Sequence, residues 1–179
     1  MQDLLFTVIY LVAFILPAYF ANSTPVVLGG GLPLDLKAKL GDFKRLFGDG
    51  KTIRGFASGV LAGTLIGELE ALALPATKYS LYSSPQIYIL AGFLLGLGTM
   101  IGDLAGSFLK RRFGMKRGHP SFILDQLFFL AIALLFAYPF IPAIALEPQN
   151  LIFLFALTYV LHVASNYAAN KVGLKKVPW

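Results

Sequence analysis

The chain has 179 residues, 57% of them hydrophobic and only 13% charged, with a mean hydropathy of +0.73. Soluble domains carry about 25% charged residues, so this composition excludes an ordinary water-soluble globule and places the chain in a bilayer. Cysteine is absent, which removes disulfide and thiolate chemistry without fixing a compartment, and the formal charge of +6 is unevenly spread.

Five apolar stretches are predicted as transmembrane helices, at residues 4–21, 55–74, 86–108, 121–145 and 151–169. Each approaches or exceeds the ~20 residues that cross a hydrocarbon core of about 30 Å. The expected fold is an all-α integral membrane protein, one domain over residues 1–179, with long loops at 22–54 and 109–120. No Lys or Arg precedes Lys37 and no small-residue cleavage pattern closes the first stretch, so a retained helix is expected rather than a secretory signal. Pro17 near its inner end is a candidate kink.

Orientation follows from the basic residues. The two long loops and the C-terminal tail hold fourteen of the fifteen Lys and Arg, and Lys78 is the exception. The positive-inside rule puts both loops and the C-terminus in the cytoplasm and the N-terminus outside.

The first loop is long for so small a protein, and long loops are usually functional or disordered. Its Leu, Val and Phe content suits folding back onto the membrane. Gly29, Gly30 and Gly31 allow a close backbone approach. The run Gly48-Asp49-Gly50-Lys51-Thr52 has the look of a phosphate-binding turn, combining backbone N–H groups, an ammonium and a hydroxyl. It is not a Walker A loop, since Arg45 stands where that pattern needs a Gly and no strand precedes it. A solvated turn before a helix is the bland alternative.

Helix two carries Gly55, Gly59, Gly63 and Gly67, and helix three Gly92, Gly96, Gly102 and Gly106; both sets read as close helix packing. Glu68 and Glu70 fall towards the outer end of helix two, at the expected interface, although an intramembrane acid is always a functional candidate.

The chemistry concentrates between residues 103 and 127. Asp103, Ser107 and Lys110 lie at i, i+4 and i+7 and share one helical face, with Arg111 beside them. Lys110, Arg111 and Arg112 complement the C-terminal dipole of helix three, so snorkelling to lipid headgroups would explain them. It would not explain Asp103, two turns deeper, which needs a partner or a metal. Helix four is expected to begin at His119-Pro120-Ser121, leaving Asp125 one turn inside it. A dipole-stabilised N-terminal acid would explain Asp125 alone. Two acids at the mouths of neighbouring helices, joined by a cationic loop, suit a divalent metal and a polyphosphate. On helix five, His162, Asn166 and Asn170 form a polar stripe, read as hydrogen bonding to neighbouring helices or as substrate contact.

Residues 107–125 resemble the signature of the CDP-diglyceride synthetases. There a Ser, a Lys-Arg pair three residues on, a further Lys and an Asp on the next helix form the active centre, matched here by Ser107, Lys110, Arg111, Lys116 and Asp125. The bacterial pattern also has a Lys-Asp pair, a His-Gly-Gly turn and a second Asp. This chain has Lys116-Arg117, His119-Pro120-Ser121 and Gln126 instead. With those departures it is similar to the shorter archaeal branch, the CDP-archaeol synthases, almost from end to end. The likeness takes in the Gly48–Thr52 loop, Gly102-Asp103, Leu124-Asp125-Gln126 and the Pro178-Trp179 tail.

That resemblance implies a CTP-dependent cytidylyltransferase acting on 2,3-di-O-geranylgeranylglycerol 1-phosphate with Mg²⁺, releasing CDP-archaeol and pyrophosphate at the cytoplasmic face of the cell membrane. It implies an active centre at Ser107, Lys110, Arg111, Lys116 and Asp125; with Asp103 added from the residue chemistry, Asp103, Asp125, Lys110 and Arg111 are the expected catalytic residues and Asp103 and Asp125 the expected metal ligands. Asp49, Lys51, Thr52, Arg54, Ser107 and Lys116 are the expected CTP and phosphate contacts. The implied partners are CTP, an isoprenoid ether lipid phosphate and membrane lipids, without nucleic acid; oligomeric state is left open. The residue chemistry agrees, because a phosphate monoester with a second pKa near about 6 is already ionised and needs no general base. The need is for cations and positioning. A transporter for a phosphorylated solute, or an anionic-lipid-binding protein, is the alternative. The first would favour a polar path through the membrane, and the second leaves Asp103 and Asp125 unexplained. A phosphatidyl-group transferase is disfavoured by the missing multi-Asp signature.

Overall fold

The computed structural model describes residues 3–115, 121, 124, 125 and 127–174. Lys116, Arg117, His119, Pro120, Gln126 and the Pro178-Trp179 tail, all used in the sequence reading, lie outside them. The described residues form helices α1 (Leu4–Leu28), α2 (Ile53–Ala73), α3 (Pro85–Arg112), α4 (Phe128–Phe136) and α5 (Pro148–Lys171). Leu124 and Asp125 are also helical. Of these, α1, α2, α3 and α5 are long and apolar enough to cross a membrane.

Two boundaries differ from expectation for local reasons. Helix α1 continues to Leu28 rather than stopping at residue 21. The Ser23 and Thr24 hydroxyls donate to the Tyr19 and Phe20 carbonyls at 3.0 and 2.7 Å, keeping the polar segment in helical register. The first loop therefore starts at Gly29. In the other direction, the helix expected to reach residue 145 ends at Phe136. Pro139 and Pro142 cannot donate to a helical ladder, so the chain turns through two 3₁₀ segments, Tyr138–Phe140 and Ala143–Leu146. At the other helix starts, Asp3 caps α1, Thr52 caps α2, and Pro85 and Pro148 sit in the first turns of α3 and α5.

Lipid tails are as apolar as leucine, so helices in a bilayer associate through close packing rather than escape from water. The glycine stripes serve that purpose. A methyl group at Gly63 would lie 2.7 Å from the Gly96 Cα, and one at Gly92 2.9 Å from the Gly67 Cα. Residues 63 and 67 thus face 96 and 92, an antiparallel register for α2 and α3. The next face of α3 repeats the device against α4: Gly98 meets Ala133, Gly102 meets Phe129 and Gly106 meets the Leu124 carbonyl, each with only 2.7 Å for an added methyl. The core between them is Leu11, Phe14, Ile15 and Ala18 of α1 with Leu95, Phe129, Leu130, Ala133 and Leu154. Away from the glycines, α2 presents Leu61, Leu65, Leu69 and Leu72 outward as a stripe suited to lipid. Continued to their ends, the two antiparallel registers bring the start of α2, the end of α3 and the segment before α4 together.

Candidate active site

Residues 29–52 form a compact cap with two isolated bridges, Pro33 with Thr52 and Lys39 with Arg45. Its centre is Asp35, whose side chain is fully enclosed although the loop around it is largely exposed. The Arg45 guanidinium donates to both Asp35 oxygens, at 2.5 and 3.1 Å. The backbone N–H groups of Lys37, Phe47 and Gly48 add further bonds at 3.1 Å. Arg45, helped by those amides, holds the carboxyl well below the usual carboxylate range. Arg45 also reaches Asp49 at 2.9 Å.

Arg112, the last residue of α3, fastens the cap to the helices. It donates to Asp42 at 2.6 Å and to the backbone carbonyls of Arg45 and Lys44 at 2.6 and 3.2 Å, and Lys44 in turn donates to the Arg112 carbonyl. The basic triplet at the end of α3 is therefore divided in role, with Arg112 gripping the loop rather than reaching for lipid.

With the cap in place, Lys51 projects onto α3. Its ammonium donates to both oxygens of Asp103, at 2.6 Å each. About two turns further along α3, Lys110 pairs with Asp125 Oδ1, and the Ser121 N–H donates to Asp125 Oδ2 at 2.9 Å. Both pairs are partly open to solvent, with side-chain exposures of 28% and 34% for the first and 14% and 29% for the second. They are open enough to meet a ligand and enclosed enough for charge to count. Ser107 is buried one turn beyond Asp103, and Arg111 is half-buried beside Lys110. The structure thus joins Lys51 with Asp103, and Lys110 with Asp125, at one end of the bundle.

Other expected site residues have visible local duties. Thr52 is buried and accepts the Gly55 N–H at 3.0 Å as the N-cap of α2. The Arg54 guanidinium donates to the Gly29 carbonyl, through Nε at 3.0 Å, closing the end of α1; the glycine run admits this contact, with Gly30 at φ +90° beneath the guanidinium. Asp49 is more than half exposed and braces Arg45. Lys116 lies outside the described residues. Asp35, Asp42 and the latch by Arg112 were not singled out from sequence, because pairs separated by 10 or about 70 positions in irregular loops leave no periodic signal.

The polar stripe of α5 contributes to a cavity of about 340 Å³ between α1, α4 and α5. Tyr19, Ser23, Phe129, His162, Ser165 and Asn166 are among its lining residues, none of which carries a formal charge. Tyr19 and Thr158 share a hydrogen bond of 2.8 Å across it. Phe129, which lines the cavity, lies four residues after Asp125 in the chain.

Near the opposite end of α2, Glu70 is buried, and its Oε1 has no hydrogen-bond partner among the described residues.

Comparison with known proteins bears on this arrangement. A family model described as CarS-like, CDP-archaeol synthase, matches residues 1–179. The chain is 51% identical to a CDP-archaeol synthase of Pyrococcus horikoshii over 166 residues, covering 93% of this chain and 94% of that one. It is 42% identical to a CDP-archaeol synthase of Archaeoglobus fulgidus over 182 residues, covering all of both chains. A solved structure, described as an intramembrane enzyme for archaeal membrane lipids biosynthesis, matches with a TM-score of 0.72 and 40% identity, covering 87% of this chain and 91% of that one. On these grounds the chain belongs to the CDP-archaeol synthase family.

Proposed function

We propose that this protein transfers the cytidylyl group of CTP to 2,3-di-O-geranylgeranylglycerol 1-phosphate, forming CDP-archaeol and pyrophosphate. Family membership supports the activity, and the observation that carries the site assignment is the pair of Lys–carboxylate contacts at one end of the bundle. A lipid phosphate oxygen attacks the α-phosphorus of CTP, the α–β bridging P–O bond breaks, and pyrophosphate leaves with the bonding electrons. The nucleophile is already ionised, so no general base is needed. Two polyanions must be brought together, and Lys51, Lys110 and Arg111 supply the cationic surroundings that favour this.

Asp103 and Asp125 would hold Mg²⁺. Mg²⁺ commonly binds through one or two carboxylates plus substrate phosphates and water, a ligand set that Asp103 and Asp125 could supply with the substrates. When bound, the ion neutralises phosphate charge and eases departure of pyrophosphate.

The asymmetry of Lys and Arg supports an N-terminus outside and a cytoplasmic site, and the segment at 121–145 completes five membrane crossings in this reading. A cysteine replacing Phe113, which is exposed, should label from the cytoplasmic side in this cysteine-free chain, and one replacing Lys78 from outside. The reverse pattern would overturn the orientation.

The neutral cavity beside Phe129 suits the uncharged glycerol portion and first chain segments of the lipid, with its phosphate at Lys110. Apolar surfaces discriminate by only about 1–3 kcal/mol per methylene-sized feature. The isoprenoid ether phosphate should therefore be preferred over a straight-chain ester phosphate without excluding it. The deciding experiment incubates the purified protein with labelled CTP, Mg²⁺ and lipid phosphate. Labelled CDP-lipid with pyrophosphate is expected, and transport of an intact phosphorylated solute without product would favour the alternative.

A further inference from the structure

We propose that Asp35 is a positioning residue for Lys51, acting through the backbone of the cap; the proposal rests on the reading of Lys51 as a CTP contact. Asp35 is an enclosed carboxylate in a mostly exposed loop, and its five N–H donors come from residues 37 to 48 of that loop. Two of them, Phe47 and Gly48, lead directly into the Gly48–Thr52 turn. The Lys51 backbone is then fixed on both sides. Its N–H donates to the Gly48 carbonyl at 3.1 Å, and its carbonyl accepts the N–H of Leu34, the residue next to Asp35, at 2.7 Å. From that doubly held backbone the Lys51 ammonium reaches both Asp103 oxygens.

The loop needs such a centre. Leu36, Lys37 and Phe43 have positive φ, at 45°, 67° and 60°, a region non-glycine residues rarely occupy unless their surroundings impose it. A carboxylate accepting from a guanidinium and three amides is strong enough to impose it. Glutamine-like or asparagine-like side chains are not equivalent at this position. An amide nitrogen would set a donor against the donors of Arg45, Phe47 or Gly48.

The test is a double-mutant cycle among Asp35→Asn, Lys51→Ala and the double variant, with kcat/KM for CTP, KM for the lipid phosphate and thermal stability measured for each. Asp35→Asn should lower kcat/KM for CTP by about tenfold or more, since it disrupts a charge-assisted network, while leaving the lipid KM within about twofold. On the Lys51→Ala background the same change should cost less than about threefold, because its effect passes through a side chain already removed. Equal costs on both backgrounds, or normal CTP kinetics for Asp35→Asn, would overturn the proposal. Reactivity of Lys51 toward an amine-acylating reagent, read by peptide mass, is independent of turnover. It should rise in Asp35→Asn, and unchanged reactivity would count against the proposal even if wild-type protein made no CDP-lipid. If Asp35→Asn does not accumulate, Arg45→Gln, which removes the guanidinium but keeps the three amides, should shift the same measurements in the same direction. Failure of the wild type to use CTP would instead overturn the cytidylyltransferase reading.

Discussion

The two ends of the helix bundle treat their acids in opposite ways. At the end bearing the basic loops, Asp35, Asp103 and Asp125 each face a cation, and Asp35 and Asp125 accept backbone N–H groups as well. At the other, Glu70 is buried with one carboxyl oxygen unsatisfied among the described residues, and Lys78 is the sole basic residue of the 74–84 connection. Burial of an acid and pairing with a cation are therefore separate properties among the described residues. The acids proposed to handle phosphate and metal lie where cations from separate parts of the chain converge, and where the helix register makes room for them.

The sharpest test of that contrast is removal of charge at the paired acids. Asp103→Asn and Asp125→Asn should each insert and fold yet lose roughly a hundredfold or more in kcat, the usual scale for deleting a group that stabilises transition-state charge. Near-normal turnover of either variant at low Mg²⁺ would remove that residue from the metal site. Next in size, Lys51→Ala should reduce kcat/KM for CTP by about ten- to a hundredfold with little change in lipid KM, as expected for losing a charged contact. If CTP and Mg²⁺ do not alter protease cleavage within residues 29–52 while activity persists, the cap is a linker and not part of the nucleotide site.

Smaller effects probe the latch. Arg112→Ala removes the bond to Asp42 and two to loop carbonyls, and should accelerate cleavage of the cap with a severalfold loss in CTP use, about 1 kcal/mol being typical for each hydrogen bond at such a site. Acid should loosen the cap only late. Asp35 has a folded pKa depressed below its unfolded value near about 3.9, so its contribution is present in full above that value and is lost as pH falls through the folded pKa. Protease protection of the cap at about pH 5 should therefore equal that at about pH 7. The smallest effect is expected at the opposite end: Glu70→Gln should leave kcat/KM within about twofold and stability equal or higher, because it removes an ionisable group from a buried site. A large loss of activity would make the unpaired end functional after all and break the comparison.

Much of this arrangement was legible without coordinates. Hydrophobic length marked the four long helices, the glycine spacing marked close-packing faces on α2 and α3 without pairing them, and the i, i+4, i+7 placement of Asp103, Ser107 and Lys110 put them on one face, because helical periodicity is a local property. The end of α1 and the shortening of α4 were missed although their causes, Ser23 and Thr24 in one case and Pro139 and Pro142 in the other, are local too. Apolar run length outweighed these signals in the reading.

What the chain's own order could not decide is which charge meets which. Lys51 and Asp103 are 52 positions apart, Arg112 and Asp42 are 70, and Asp35 gathers donors from 37 to 48 through backbone turns with no period. Composition supplied the cations and acids, and hydropathy placed most of the cations in the segments outside the apolar stretches. Only the antiparallel packing of α2 on α3 and of α3 on α4 selected the pairs, because ion pairing depends on distances of a few ångströms that local sequence does not encode.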